Sequence, residues 1–224
     1  MPHESAAEES FDSLYRSTRR ALLLQTYALT GDLPVARAAV RAAYVSAWRH
    51  WRTVSALEDP TSWLRTRAWR HARRRHTVGA RRRTPAPSPE QRAVLDALGR
   101  LPAGRRRALV LVDLAGLDHE RAVAELGEDP EQAGAEPARE SVAEHLGTPV
   151  GDVAGRLRGL DSLLDDVTQP RATLLRRSVR SRRRTQLVVA AVVATLVVVG
   201  IGAFATHPEG TSAEELGLVS PSDG

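Results

Sequence analysis

Apolar residues recur three and four positions apart along most of the first 165 residues, the spacing that lines one face of an α-helix. In FDSLYRSTRRALLLQTYALT the recurring positions are Phe11, Leu14, Tyr15, Ala21, Leu22 and Leu29. Gly31 and Asp32 end that helix, and Pro34 suits the first turn of the next. The second helix, VARAAVRAAYVSAWRHW, places Val40, Tyr44, Ala47, Trp48 and Trp51 on one face. Asp59 before Pro60 reads as a helix N-cap, and the third helix, TSWLRTRAWRHARRRH, carries Trp63, Leu64 and Trp69. The stretch VGARRRTPAPSPE, with Pro85, Pro87 and Pro89, breaks the pattern and reads as a linker. EQRAVLDALGRLPAGRRRALVLVDLAGL then predicts two helices split at Leu101–Pro102. In SVAEHLGTPVGDVAGRL, Val142, Ala143 and Leu146 line a helix, Gly147 makes a turn, Thr148 caps, and Pro149 opens a further helix. The expected fold class is all-α.

One segment breaks from amphipathic patterning. Leu187–Thr206 is 20 residues without a charge. As a helix it would span about 30 Å, the hydrocarbon thickness of a bilayer. Arg176, Arg177, Arg180, Arg182, Arg183 and Arg184 precede it, and no Arg follows. The positive-inside rule then places the N-terminus in the cytoplasm and residues 207–224 outside, with the Arg cluster on the membrane surface. The expectation is a single-pass protein of a bacterial cytoplasmic membrane, with the lipid bilayer as a partner.

Charge sharpens the division. All 32 basic residues are arginine, and there is no cysteine, hence no disulfide and no thiolate metal site. From Phe11 to Arg83 there are 16 Arg against 4 acids; from Gly116 to Asp166 there are 4 Arg against 13 acids. Such asymmetry implies that the pieces meet different partners. Arg65, Arg67, Arg70, Arg73, Arg74 and Arg75 crowd the third helix and can neutralise phosphates, while Trp63 and Trp69 either stack on unpaired bases or belong to the core. The acidic start, MPHESAAEES, has no apolar run and hence no cleavable secretory signal.

The order F-x-x-L-Y, YALTGD, A-x-x-x-V-x-x-A-Y-V-x-A-W-R and DP-x-x-WLR-T resembles region 2 of the extracytoplasmic-function group of bacterial sigma-70 factors. The resemblance implies that the second helix, with Val40, Arg41, Tyr44 and Trp48, docks on core RNA polymerase. It also implies that the third helix, with the Trp and Arg residues just named, binds promoter DNA. L-x-x-LP-x-x-x-R-x-A-L-V-L and the SVAEHLGTPVGDVAGRL stretch resemble sigma region 4, whose helix-turn-helix would contact DNA weakly through Thr148, Pro149, Arg156 and Arg158. GLDHERAVAELG already looks like the helix before the turn, so residues at about 121–140 read as an acidic insertion forming a surface loop.

The resulting organisation is a tail at 1–10, a region 2-like module at 11–77 and a linker at 78–90. A region 4-like module at 91–166, a basic juxtamembrane segment at 167–186, a transmembrane helix at 187–206 and an external tail at 207–224 complete it. The implied function is a membrane-tethered sigma-like factor that directs or regulates transcription initiation, bound to promoter or non-specific DNA. The alternative is a degenerate sigma-like membrane protein serving as a regulatory interaction module, with a membrane regulatory protein as partner. It is favoured by Ala38, Ala39, Val40, Arg41 and Ala42 standing where the family's docking helix carries acidic and amide residues. No catalytic motif is present in the sequence, so no enzyme activity, catalytic residue, metal or cofactor is expected.

Overall fold

The amphipathic repeats fold as helices throughout the computed structural model, which describes residues 2–75, 87–127 and 134–177. In chain order they are α1 (Pro2–Thr30), α2 (Leu33–Arg49), the single turn α3 (Trp51–Val54) and α4 (Pro60–Arg75). After the linker come α5 (Pro89–Arg100), α6 (Ala103–Asp113), α7 (His119–Leu126), α8 (Ala135–Leu146) and α9 (Val153–Arg158). Short 3-10 turns occupy Val150–Asp152 and Gly159–Leu164, and residues 172–177 are helical. The all-α class stands.

Local chemistry sets the boundaries. Gly31 adopts a left-handed φ of 64°, and its amide bonds the Tyr27 carbonyl at 2.8 Å, closing α1. Asp32 caps α2 by accepting from the Val35 amide at 2.9 Å. Asp59 accepts from the Thr61 and Ser62 amides at 2.8 and 3.0 Å and starts α4. Ser88 and Gln91 form a reciprocal capping box at the head of α5. Pro102 separates α5 from α6 because it has no N–H to continue a helix.

Long helix α1 joins the two sets of helices. It packs on α2 and α4 on one side and on α5, α6 and the Gly159–Leu164 turn on the other. Around Phe11 the core is aromatic: its ring meets Tyr44 at 6.3 Å, Trp48 at 5.1 Å and Trp51 at 5.2 Å, and Tyr15 meets Tyr44 edge-on at 4.7 Å. The helices after the linker contribute an aliphatic part, with Val94, Leu98, Leu109, Leu111, Val142, Leu157 and Leu160 all buried. The two regions belong to one continuous buried cluster.

Several sequence expectations need correction. The membrane-crossing helix drops out of the fold class: among the described residues no helix is long and apolar enough to cross a membrane. The longest, α1, carries charges along its length, and the expected span at 187–206 lies outside the described residues. Residues 2–10, expected as a tail, begin α1. The expected loop at about 121–140 is helical at both ends, with residues 128–133 outside those described. Ala135, Ala138, Val142 and Ala143 recur at helical spacing and are buried, which draws the later part of that stretch onto α6 as α8. Thr148 makes no cap; its amide instead bonds the Ala143 carbonyl at 3.1 Å, closing α8 over left-handed Gly147.

Candidate functional site

Helix α4 holds most of the residues singled out from sequence, and its face toward the protein interior engages several of them. Arg65 is 4% exposed and donates to both carboxylate oxygens of Glu125, at 2.8 and 2.7 Å. A guanidinium held this way is not available to a phosphate. Arg67 donates to the Ser46 hydroxyl at 3.2 Å and lies 5.5 Å from the ring of half-buried Trp63. Trp69 is buried. Arg70 and Arg73 are exposed, and among the described residues neither makes an ion pair. Arg74 and Arg75 belong to α4, and their side chains lie outside those described.

The other expected groups are also dispersed. Val40 and Tyr44, expected to dock a partner, are core residues, Trp48 packs on Phe11, and Arg41 is exposed. Arg156 has only a distant pairing with Glu90, at 3.7 Å, and Arg158 is exposed on the six-residue α9. Pro149 precedes a 3-10 turn. Arg176, expected at a membrane surface, is 12% exposed; it pairs with Asp12 and Glu8 on α1 and covers the Trp48 ring at 5.6 Å. Arg177 is exposed, while Arg180, Arg182, Arg183 and Arg184 lie outside the described residues.

One cleft gathers chemistry. The end of α1, the inner face of α4, the start of α6 and the end of α7 enclose a cavity of ≈ 410 Å³. Leu29, Ala72, Ala103 and Leu126 give it apolar wall, and Arg70, Arg73, Arg106 and Arg107 bring charge. Two buried N–H groups in this lining have no hydrogen-bond partner: Trp69 Nε1 and Arg106 Nε. Trp69 is 8% exposed, so water does not serve as an easy substitute for a partner.

Arg106 has an unusual set of neighbours. Its Nη1 donates to the Leu29 carbonyl at 3.1 Å, and its Nη2 to the Gly99 and Leu101 carbonyls at 2.8 and 3.0 Å. It makes no ion pair among the described residues, and burial pushes its pKa below the ordinary arginine value. The guanidinium nevertheless remains charged at neutral pH. Among the described residues Glu125 is the one carboxylate in the lining, and Arg65 holds it. Among the described residues no cluster of three or more His, Cys, Asp or Glu side chains is placed to hold a metal ion.

Sequence reasoning pointed at Trp69, Arg70 and Arg73, noted Arg106 only as the arginine of L-x-x-LP-x-x-x-R-x-A-L-V-L without a role, and missed Glu125 and the apolar wall. The triple Arg105–Arg107 at the head of α6 was the available signal, since cations are disfavoured at a helix N-terminus and need a reason to be there. Its convergence with α4 is tertiary and left no periodic trace.

No protein-family model matches the chain, and no curated protein matches it. The sigma-factor resemblance is therefore corrected: the motifs that carried it are short, and no family model supports them. Core RNA polymerase, promoter or non-specific DNA, a membrane regulatory protein and the role in transcription fall with it, in both the factor and the degenerate form. Placement in a bacterial cytoplasmic membrane, and the bilayer as partner, are corrected too, since no described helix is long and apolar enough to cross one.

Proposed function

We propose that this chain is a non-catalytic binding protein whose cleft between α1, α4, α6 and α7 takes a small molecule with an apolar body and a hydrogen-bond acceptor. The observation that carries this reading is the pair of unpartnered buried donors, Trp69 Nε1 and Arg106 Nε, in one lining. Buried polar groups in folded proteins are nearly always bonded, so two unpartnered donors in one lining call for an explanation, and an acceptor on a bound molecule is one. A volume of ≈ 410 Å³ falls in the range of small-molecule sites. The apolar wall supplies affinity, and the two donors supply orientation. Among the described residues the lining offers no nucleophile beside a base: its hydroxyls, Thr30 and Thr66, have no histidine with them, and its carboxylate is engaged by Arg65.

The test is a two-dimensional NMR titration of the indole N–H signals, assigned with Trp69→Phe, using 2-naphthamide and 2-naphthoate as probes. At least one probe should shift the Trp69 indole signal well beyond those of Trp48, Trp51 and Trp63. If neither moves it at millimolar concentration, the cleft is not a binding site of this kind.

A further inference from the structure

Resting on the reading of the cleft as a binding site, we infer that its ligand is an anion: an apolar, ring-sized body carrying a carboxylate or phosphate. The unpartnered donors call only for an acceptor, which a neutral carbonyl would satisfy. Charge narrows the class. Arg70, Arg73 and Arg106 line the cleft, and among the described residues none of them has an acidic partner. The one carboxylate among the described lining residues, Glu125, is bonded at both oxygens by Arg65, whose side chain is 4% exposed. That pair neutralises itself, so among the described residues no other carboxylate in the lining faces the three arginines.

The arginines are not equivalent. Arg70 and Arg73 are exposed and create the positive field through which a ligand approaches. Arg106 is half-buried, and its two Nη atoms already serve the carbonyls of Leu29, Gly99 and Leu101. Those carbonyls fix the guanidinium but supply no negative charge. Its remaining Nε–H is the donor without a partner. A half-buried cation with three neutral acceptors and a buried, unpartnered Nε–H is completed by an anionic oxygen, and a charge-assisted bond there is stronger than a neutral one.

The experiment compares matched probes on the full-length chain by calorimetry at low salt. 2-Naphthoate and 2-naphthamide share one shape and differ in charge; 2-naphthyl phosphate supplies the second acid. We expect at least one acid to bind tenfold or more tighter than the amide. The advantage should shrink at high salt, as exposed charges are screened. Replacing Arg70→Gln and Arg73→Gln together should reduce it severalfold; both residues are exposed, so the fold should tolerate the change. Trp69→Phe should weaken all the probes that bind. Which acid binds tighter distinguishes carboxylate from phosphate. If the amide binds as tightly as both acids, or the preference ignores salt and the double variant, the anion inference is overturned while the binding site stands. If no probe binds and the Trp69 indole signal does not move, the underlying reading has failed instead.

Discussion

Arg65 on α4 and Glu125 on α7 form a two-point ion pair at 2.8 and 2.7 Å, with side chains only 4% and 7% exposed. The pair ties a short helix to the rest of the fold. Helix α7 has eight residues, of which only Ala122 is buried, so apolar packing alone holds it weakly. It is flanked by Gly116 and Gly127, both in the left-handed region at φ 70° and 62°. The cleft wall formed by Glu125 and Leu126 therefore depends on an electrostatic latch.

The latch makes an asymmetric prediction. Glu125→Ala leaves Arg65 buried with only exposed Asp59, at 3.6 Å, and should cost about 3–5 kcal/mol. The double change Arg65→Met with Glu125→Leu removes both charges and should recover most of that loss. Urea unfolding of the two variants measures it. A Glu125→Ala loss below about 1 kcal/mol would show that the pair does not hold α7.

Residues 167–177 fold back along α1. Tyr15 donates its hydroxyl to the Pro170 carbonyl at 2.5 Å, and Arg37 donates to the Thr168 carbonyl at 2.9 Å. Arg176 pairs with Asp12 and Glu8 and covers Trp48. Arg176→Ala should destabilise the chain by about 2 kcal/mol, between the values for exposed and buried pairs. Hydrogen exchange should accelerate first at residues 172–177. Unchanged exchange there would mean that Leu175, 1% exposed, anchors the segment without help from the arginine.

How far the sequence reached follows from what each residue signals locally. Helix spacing, the end of α1 at Gly31, the Asp59 cap, the Leu101–Pro102 break and the Gly147 turn act within one turn of the chain, and all were legible, whereas Asp32 read as the end of α1 and is the cap of α2. The later part of the presumed insertion was misread because Pro137 and acids resemble a loop, while Ala138 and Val142 are what pack it on α6. At the cleft, Trp69 stood out as an aromatic in an arginine helix. Its unpaired indole did not, since that depends on what α1, α6 and α7 fail to offer it. Arg65 read as a phosphate-binding cation and Arg176 as a membrane-surface one for the same reason: their carboxylate partners lie 60 and 164 residues away.

The capping box at α5 gives an ordering of two variants. Ser88→Ala removes one cap bond, to the Gln91 amide at 3.2 Å, and should cost about 1 kcal/mol. Gln91→Ala removes the return bond to the Ser88 amide at 2.9 Å. It also removes the side-chain bonds to the Ser162 hydroxyl at 2.9 Å and the Gly159 carbonyl at 3.3 Å. It should therefore cost at least as much, and it should loosen the Gly159–Leu164 turn in hydrogen exchange. A loss confined to α5 would show that the tie to this turn contributes nothing.

The alkaline limb of stability should belong to tyrosine. The chain has three tyrosines and neither lysine nor cysteine, so between about pH 9 and 12 tyrosines are the side chains left to titrate. Burial pushes all three above their ordinary value of 10.0, and Tyr44, fully buried, furthest. Below about pH 9 the folded and unfolded chains bind these protons equally, and the stability contribution is fully present. As pH rises through 10.0 the unfolded chain releases its phenolic protons while the folded chain keeps them, so stability falls with pH. Urea midpoints should therefore hold level to about pH 9 and then decline, while phenolate absorbance lags behind that of the unfolded chain. Tyr44→Phe should flatten the decline. At neutral pH it should cost about 1 kcal/mol for the hydroxyl contact with Thr18 at 2.7 Å. Thr18 keeps its bond to the Leu14 carbonyl at 2.6 Å, so no donor is stranded there. The variant's deficit should then shrink as pH rises, because only the parent protein still carries the Tyr44 proton to lose. A decline equally steep in parent and variant would show that the Tyr44 phenol does not govern it.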